Sequence, residues 1–130
     1  MSAEPVAQNE VAVPLLAESA PADIRDRWLG PAAAGEALIS VAIESPYVLG
    51  ADQADLLVIE HDGFFHAVDP STAALHPQAS VDETRRLFSV EWDPAGAPVI
   101  SRDPAALTSA ADRAAVAAAA QCVGIAQQLL

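Results

Sequence analysis

The chain has no lysine, and its six arginines face eighteen acidic residues, leaving a formal charge of −12 at neutral pH. A field of that sign repels phosphate backbones and anionic lipid headgroups, which argues against nucleic-acid and membrane-surface partners. Cysteine occurs once, at Cys122, so no internal disulfide can form, and a reducing, cytoplasmic setting is expected. Aromatics make up only 5% of residues although apolar residues make up 52%. The core must therefore be built from Ala, Val, Leu and Ile. The first ten residues, MSAEPVAQNE, lack the basic and apolar regions of a secretion signal. The one weakly membrane-like stretch, AAVAAAAQCVGIAQQLL, is mostly alanine with three glutamines and reads as a buried helix of a soluble protein.

Chemical signatures are also missing. There is no glycine-rich phosphate loop, no Cys-x-x-Cys pair, no serine nucleophile elbow and no His-Glu-x-x-His. The GPAAAG stretch at 30–35 lacks the lysine and hydroxyl of a P-loop. No catalytic residue and no metal ligand set can be nominated from motifs.

What is present has a clear order. With 130 residues the chain is one domain in size. Residues 1–10 are polar and contain proline, so a frayed tail is expected. VAVPLLAES (11–19) suits a short helix with Pro14 near its first turn, and a second helix should start at Pro21 and stop at Gly30-Pro31. Together, 11–36 reads as a helical region. In ALISVAI the residues Ile39, Val41 and Ile43 share one strand face. DLLVIEH (55–61) is apolar on both faces at its centre, and Asp62-Gly63 then predicts a tight hairpin into FFHAVD. PSTAALHPQAS reads as a turn and an extended segment limited by proline. RRLFSVEWD alternates as a further strand, and PAGAP closes a β region spanning 37–100. Asp103 and Pro104 are a good N-cap and first helical residue for one long helix over 103–130. At 1.5 Å per residue it would be roughly 40 Å long, more than so small a domain needs. Such a helix, rich in small residues, calls for a partner, in a homo- or hetero-oligomer. The fold class is α+β: a small antiparallel β-domain, short helices before it, one long Ala-rich helix after it.

Several side chains admit two readings. His61 and His66 flank the hairpin turn and could meet across it, as a polar surface or as half of a metal site. His76 reads as a loop residue. Arg85 and Arg86 in DETRR could hook an anion or pair locally with Asp82 and Glu83. Cys122 reads as a buried, inert thiol. Trp28 and Trp92 read as core or interface anchors.

This order of elements resembles the acyl-CoA dehydrogenase family of flavoproteins around the junction of its three domains. RWLGPAAAGEALISVAIESP looks like the family's helix and turn leading into the first strand of its middle domain. GADQADLLVIEHDGFFHAVDPSTAALHPQASVDETRRLFSVEWD is similar to the second half of that domain, and DRAAVAAAAQCVGIAQQLL resembles the start of the first C-terminal helix. The resemblance implies FAD as cofactor, acyl-CoA as substrate and an α,β-dehydrogenation. It also makes Glu44, Ser45 and Pro46 the candidates for flavin contact. They stand where the family has Thr-Glu-Pro, and only Pro46 is retained. The linker SPYVLGADQ looks like a deletion scar, because the family's flavin-facing strand-turn-strand is missing there. The later flavin-binding motifs and catalytic carboxylate are missing too. An incomplete protein, inactive alone, is expected, or else a non-catalytic partner subunit or a decayed fragment.

Overall fold

The computed structural model describes residues 4–130. Two helices, α1 (Glu4–Ser19) and α2 (Ala22–Ala33), precede the strands β1 (Ile39–Ala42), β2 (Tyr47–Leu49), β3 (Leu56–His61) and β4 (Phe64–Val68). A 3-10 turn, Pro70–Thr72, leads to β5 (Ala74–Gln78), β6 (Leu87–Glu91) and β7 (Val99–Ser101), and α3 spans Pro104–Leu129. The expected class holds: α+β, with small sheets and a long final helix.

The strands form two sheets, ordered β1-β3-β4-β7 and β2-β6-β5. Every pair is antiparallel except β1 with β3, which run parallel with Ile39 opposite Leu56. The period-2 rule explains why β3 is apolar over Leu56, Leu57, Val58 and Ile59. Leu56 and Val58 face the helices, packing with Leu16, Ile24, Phe65, Ile100 and Ala110. Leu57 and Ile59 face the second sheet, packing with Val48, Val68 and Phe88. A strand buried on both sides has no room for polar residues. Asp62 and Gly63 both take positive φ, 52° and 82°, which is the backbone the two-residue hairpin demands.

Five local expectations are corrected. The frayed tail expected over 1–10 is helical from Glu4, while residues 1–3 lie outside the described residues. Tertiary bonds hold this segment: Asn9 Nδ2 donates to the Ala32 carbonyl at 3.3 Å, and Val11 is buried. Pro14 sits inside α1, and α2 runs past Gly30-Pro31 to Ala33. Burial of Leu15 and Leu16 after the first proline, and of Ala32 after the second, offsets the lost backbone bond. The helix stops instead where Gly35 adopts φ 74°. Tyr47–Leu49, expected to be a linker, is a strand paired with β6. PAGAP does not close the β region, because β7 follows it and pairs with β4.

Helix α3 starts as the sequence requires, with Asp103 Oδ1 accepting the Ala105 N–H at 2.9 Å. It lies antiparallel to α1: Arg113 reaches Glu18 at 3.5 Å, and Ala117 and Ala118 face Gln8 and Val11. Its first half buries Ala106 and Ala110. Its second half, expected to be buried, stays open, with Val116 70% exposed and Ile125 57%.

Candidate functional site

The three residues nominated for flavin contact form the turn between β1 and β2. Glu44 takes φ 48°, uncommon for a residue with a side chain, and its N–H donates to Glu60 Oε2 at 3.3 Å. Glu60 Oε1 also accepts the Gly63 N–H at 2.7 Å, so one carboxylate pins this turn and the hairpin turn together. Ser45 Oγ is taken up locally with the backbone of Tyr47, at 3.2 Å to both its N–H and its carbonyl. Glu44, Ser45 and Pro46 are all exposed.

Beside this turn lies a cleft of about 330 Å³, bounded by α1, β1, β2 and α3. Val11, Val41, Ile43, Leu49 and alanines of α3 make its walls, and Gln8, Ser45, Gln121 and Arg85 its polar fringe. Among the described residues no acidic side chain lines it. Arg85 also meets Asp82 at 3.7 Å. Arg86, its neighbour in the anion-hook reading, points elsewhere and closes an ion pair with Asp52, 34 residues away. The Asp52 carboxylate beside it raises the Arg86 guanidinium further above its ordinary value. The hook expected of two adjacent arginines is thus split between two sites.

A second cleft of about 550 Å³ lies between α2 and the loop after β6. Trp28 and Trp92 line it together with Arg27 and four aspartates, Asp23, Asp55, Asp69 and Asp93. Three of these carboxylates already accept backbone N–H groups, of Leu38, Ser71 and Ala95 respectively for Asp55, Asp69 and Asp93. Both tryptophans are half-buried against the two cores, matching their reading as anchors.

The remaining candidates move. His61 and His66 do approach, with ring centroids 6.2 Å apart, and Trp92 closes on His66 at 5.1 Å. His66 is 5% exposed, however, and not part of a polar surface; it sits on the face of β4 that turns toward the second sheet. Among the described residues no group of three or more His, Cys, Asp or Glu could hold a metal ion. His76, expected in a loop, lies in β5 and bonds Glu91 Oε2 at 2.9 Å. Cys122, expected to be buried, is exposed on the open half of α3. No local pattern announced the cleft itself, since its walls bring together α1, the β1–β2 segment and α3.

The architecture has known counterparts. A glutaryl-CoA dehydrogenase from Mycobacterium smegmatis, solved in complex with FADH2, superposes with a TM-score of 0.68 over 85% of this chain at 14% identity. PigA, solved as an FAD complex, gives 0.64 over 82% at 11% identity. The fold is that of the acyl-CoA dehydrogenases. Only part of it is present: the chain spans 39% of the length of the first of these proteins and 40% of the second. No family model and no curated protein matches the sequence. Among the described residues no helix is long and apolar enough to cross a membrane.

The residues present do not fit a flavin dinucleotide. The cleft beside Ser45 is at the small end of ligand pockets, which run from about 300 to 1,000 Å³. Glu44 does not line it, Ser45 is committed to Tyr47, and among the described residues no glycine lines the cleft.

Proposed function

We propose that this chain is a non-catalytic, acyl-CoA dehydrogenase-like module that packs through α3 onto the helices of a larger acyl-CoA dehydrogenase-type chain. The observation that carries it is the distal half of α3. No charged side chain follows Arg113, yet Val116, Val123, Ile125 and Leu129 are more than half exposed in a protein of net charge −12. Isolated exposed apolar residues need no explanation, but a charge-free stretch of this length marks an interaction surface. Its alanines and Gly124 let a second helix approach closely, and such a surface suits an apolar helical partner. FAD-dependent dehydrogenation of acyl-CoA thioesters would then belong to the assembled protein, in the cytoplasm, and not to this chain alone.

The test is direct. The full chain, purified alone, should lack flavin's absorbance bands. Co-expressed with a complete acyl-CoA dehydrogenase from the same genome, it should co-migrate with that protein in size-exclusion chromatography. Ile125→Glu should abolish co-migration and leave the melting temperature unchanged. A yellow, flavin-loaded monomer would overturn the reading.

A further inference from the structure

The chain's two tryptophans, Trp28 on α2 and Trp92 just after β6, line the same cleft of about 550 Å³, a volume within the range of small-molecule sites. The Arg27 guanidinium already stands 5.1 Å from the Trp28 ring centroid, so one indole of this wall holds a cation in the folded chain. The four aspartates of the lining come from four places: Asp23 in the first turn of α2, Asp55 ahead of β3, Asp69 after β4 and Asp93 after β6. They do not converge on one point, since among the described residues no group of three or more His, Cys, Asp or Glu could hold a metal ion. Asp55, Asp69 and Asp93 each give one oxygen to a backbone N–H, and the second oxygen of each keeps its acceptor capacity.

We propose that this cleft binds a free aliphatic diamine, its two ammonium ends on separate aspartates and its methylene stem along the indoles. Spread carboxylates do not suit an inorganic cation, which needs several ligands on one centre. A single ammonium would leave most of them unmet. A ligand with positive charge at both ends and an apolar middle matches the carboxylates and the indoles together. Carboxylates in a cleft focus their field on a cation, and an indole face attracts an ammonium while covering the stem behind it. Among the described residues the lining takes nothing from α3, so the assignment stands apart from the docking proposed above.

Both tryptophans line the cleft, so intrinsic fluorescence reports its occupancy. Diaminopentane, pentylamine and magnesium chloride are titrated into the full chain at fixed ionic strength. The diamine should shift the tryptophan emission and bind about tenfold more tightly than pentylamine, the effect of one further charge-assisted pairing. Magnesium, with the same total charge, should neither shift the emission nor displace the diamine. Asp55→Asn and Asp93→Asn keep an acceptor for their backbone N–H, and each should weaken the diamine about three- to tenfold. Asp112→Asn, on the exposed surface of α3, should leave the affinity unchanged. An unshifted emission would overturn the proposal, as would equal affinities for diamine and monoamine or displacement by equimolar magnesium. So would cleft variants no weaker than Asp112→Asn, since the chain's overall charge, and not this cleft, would then hold the ligand.

Discussion

Gln8 Oε1 accepts the backbone N–H of Val41 at 2.6 Å, bridging 33 residues between α1 and β1. The partner matters because β1 is an edge strand, paired with β3 on one side only. An edge N–H without water or protein to receive it costs roughly 1–3 kcal/mol, and here a helix side chain supplies the acceptor. Gln8→Ala should therefore lower stability by about 1–2 kcal/mol. Gln8→Glu, which keeps the acceptor, should recover most of that loss. The measurement is the urea midpoint, with an unchanged slope showing that the denatured state is unaffected.

Packing predicts a contrast between two aliphatic residues. Leu57 is fully buried between the sheets, whereas Val116 is 70% exposed on α3. Leu57→Ala should cost about 2–5 kcal/mol through lost transfer energy and the cavity left behind. Val116→Ala should change the stability of the isolated chain by less than about 0.5 kcal/mol. A large loss at Val116 in the isolated chain would mean that α3 folds back and hides this face.

Acid should weaken the fold in part through Asp69. Its carboxyl is held below the ordinary range first by the Ser71 hydroxyl, 2.7 Å away, and then by the Ser71 N–H. A group whose folded pKa is depressed stabilises the protein above its unfolded pKa, near 4, and loses that contribution as pH falls through the folded value. Asp82 is depressed in the same way by Thr84. Melting temperatures recorded from neutral pH down to pH 3 should fall less steeply for Asp69→Asn than for the unmodified chain. Asparagine keeps an acceptor for Ser71 but cannot titrate, so the difference between the two curves isolates this carboxylate. Parallel curves would rule the contribution out.

The legible parts of this fold were those governed by local rules. Asp62-Gly63 specified its turn through backbone conformation alone, and Asp103-Pro104 specified a helix start through one orphan N–H. The double burial of β3 was visible because a period-2 strand with two covered faces loses its polar positions. What local rules could not reach was set by distant chain. Pro31 looks like a stop signal until Ala32 is seen packed in the core, and Tyr47–Leu49 looks like a linker until β6 pairs with it. Three residues are too few for a periodicity to declare itself, which also hid β7. The cleft was invisible for the same reason, since Arg85 and Ala118 come to line one cavity only once the strands, α1 and α3 are in place.

His66 offers the sharpest test of what the second core is for. Its Nδ1 is buried and has no hydrogen-bond partner, while the ring lies 5.1 Å from Trp92 and 6.2 Å from His61. A buried polar atom without a partner loses its hydration and gains nothing in return. Phenylalanine has a similar flat shape and could keep an edge contact with Trp92, so it removes the penalty without opening a cavity. His66→Phe should raise stability by about 1 kcal/mol, seen as a higher urea midpoint, because an apolar group replaces an unsatisfied one. His66→Ala should do the opposite, since it removes ring contacts and leaves space between the sheets. If the phenylalanine variant proves clearly less stable, the imidazole nitrogen has an acceptor or donor role in the folded protein that its present surroundings do not supply.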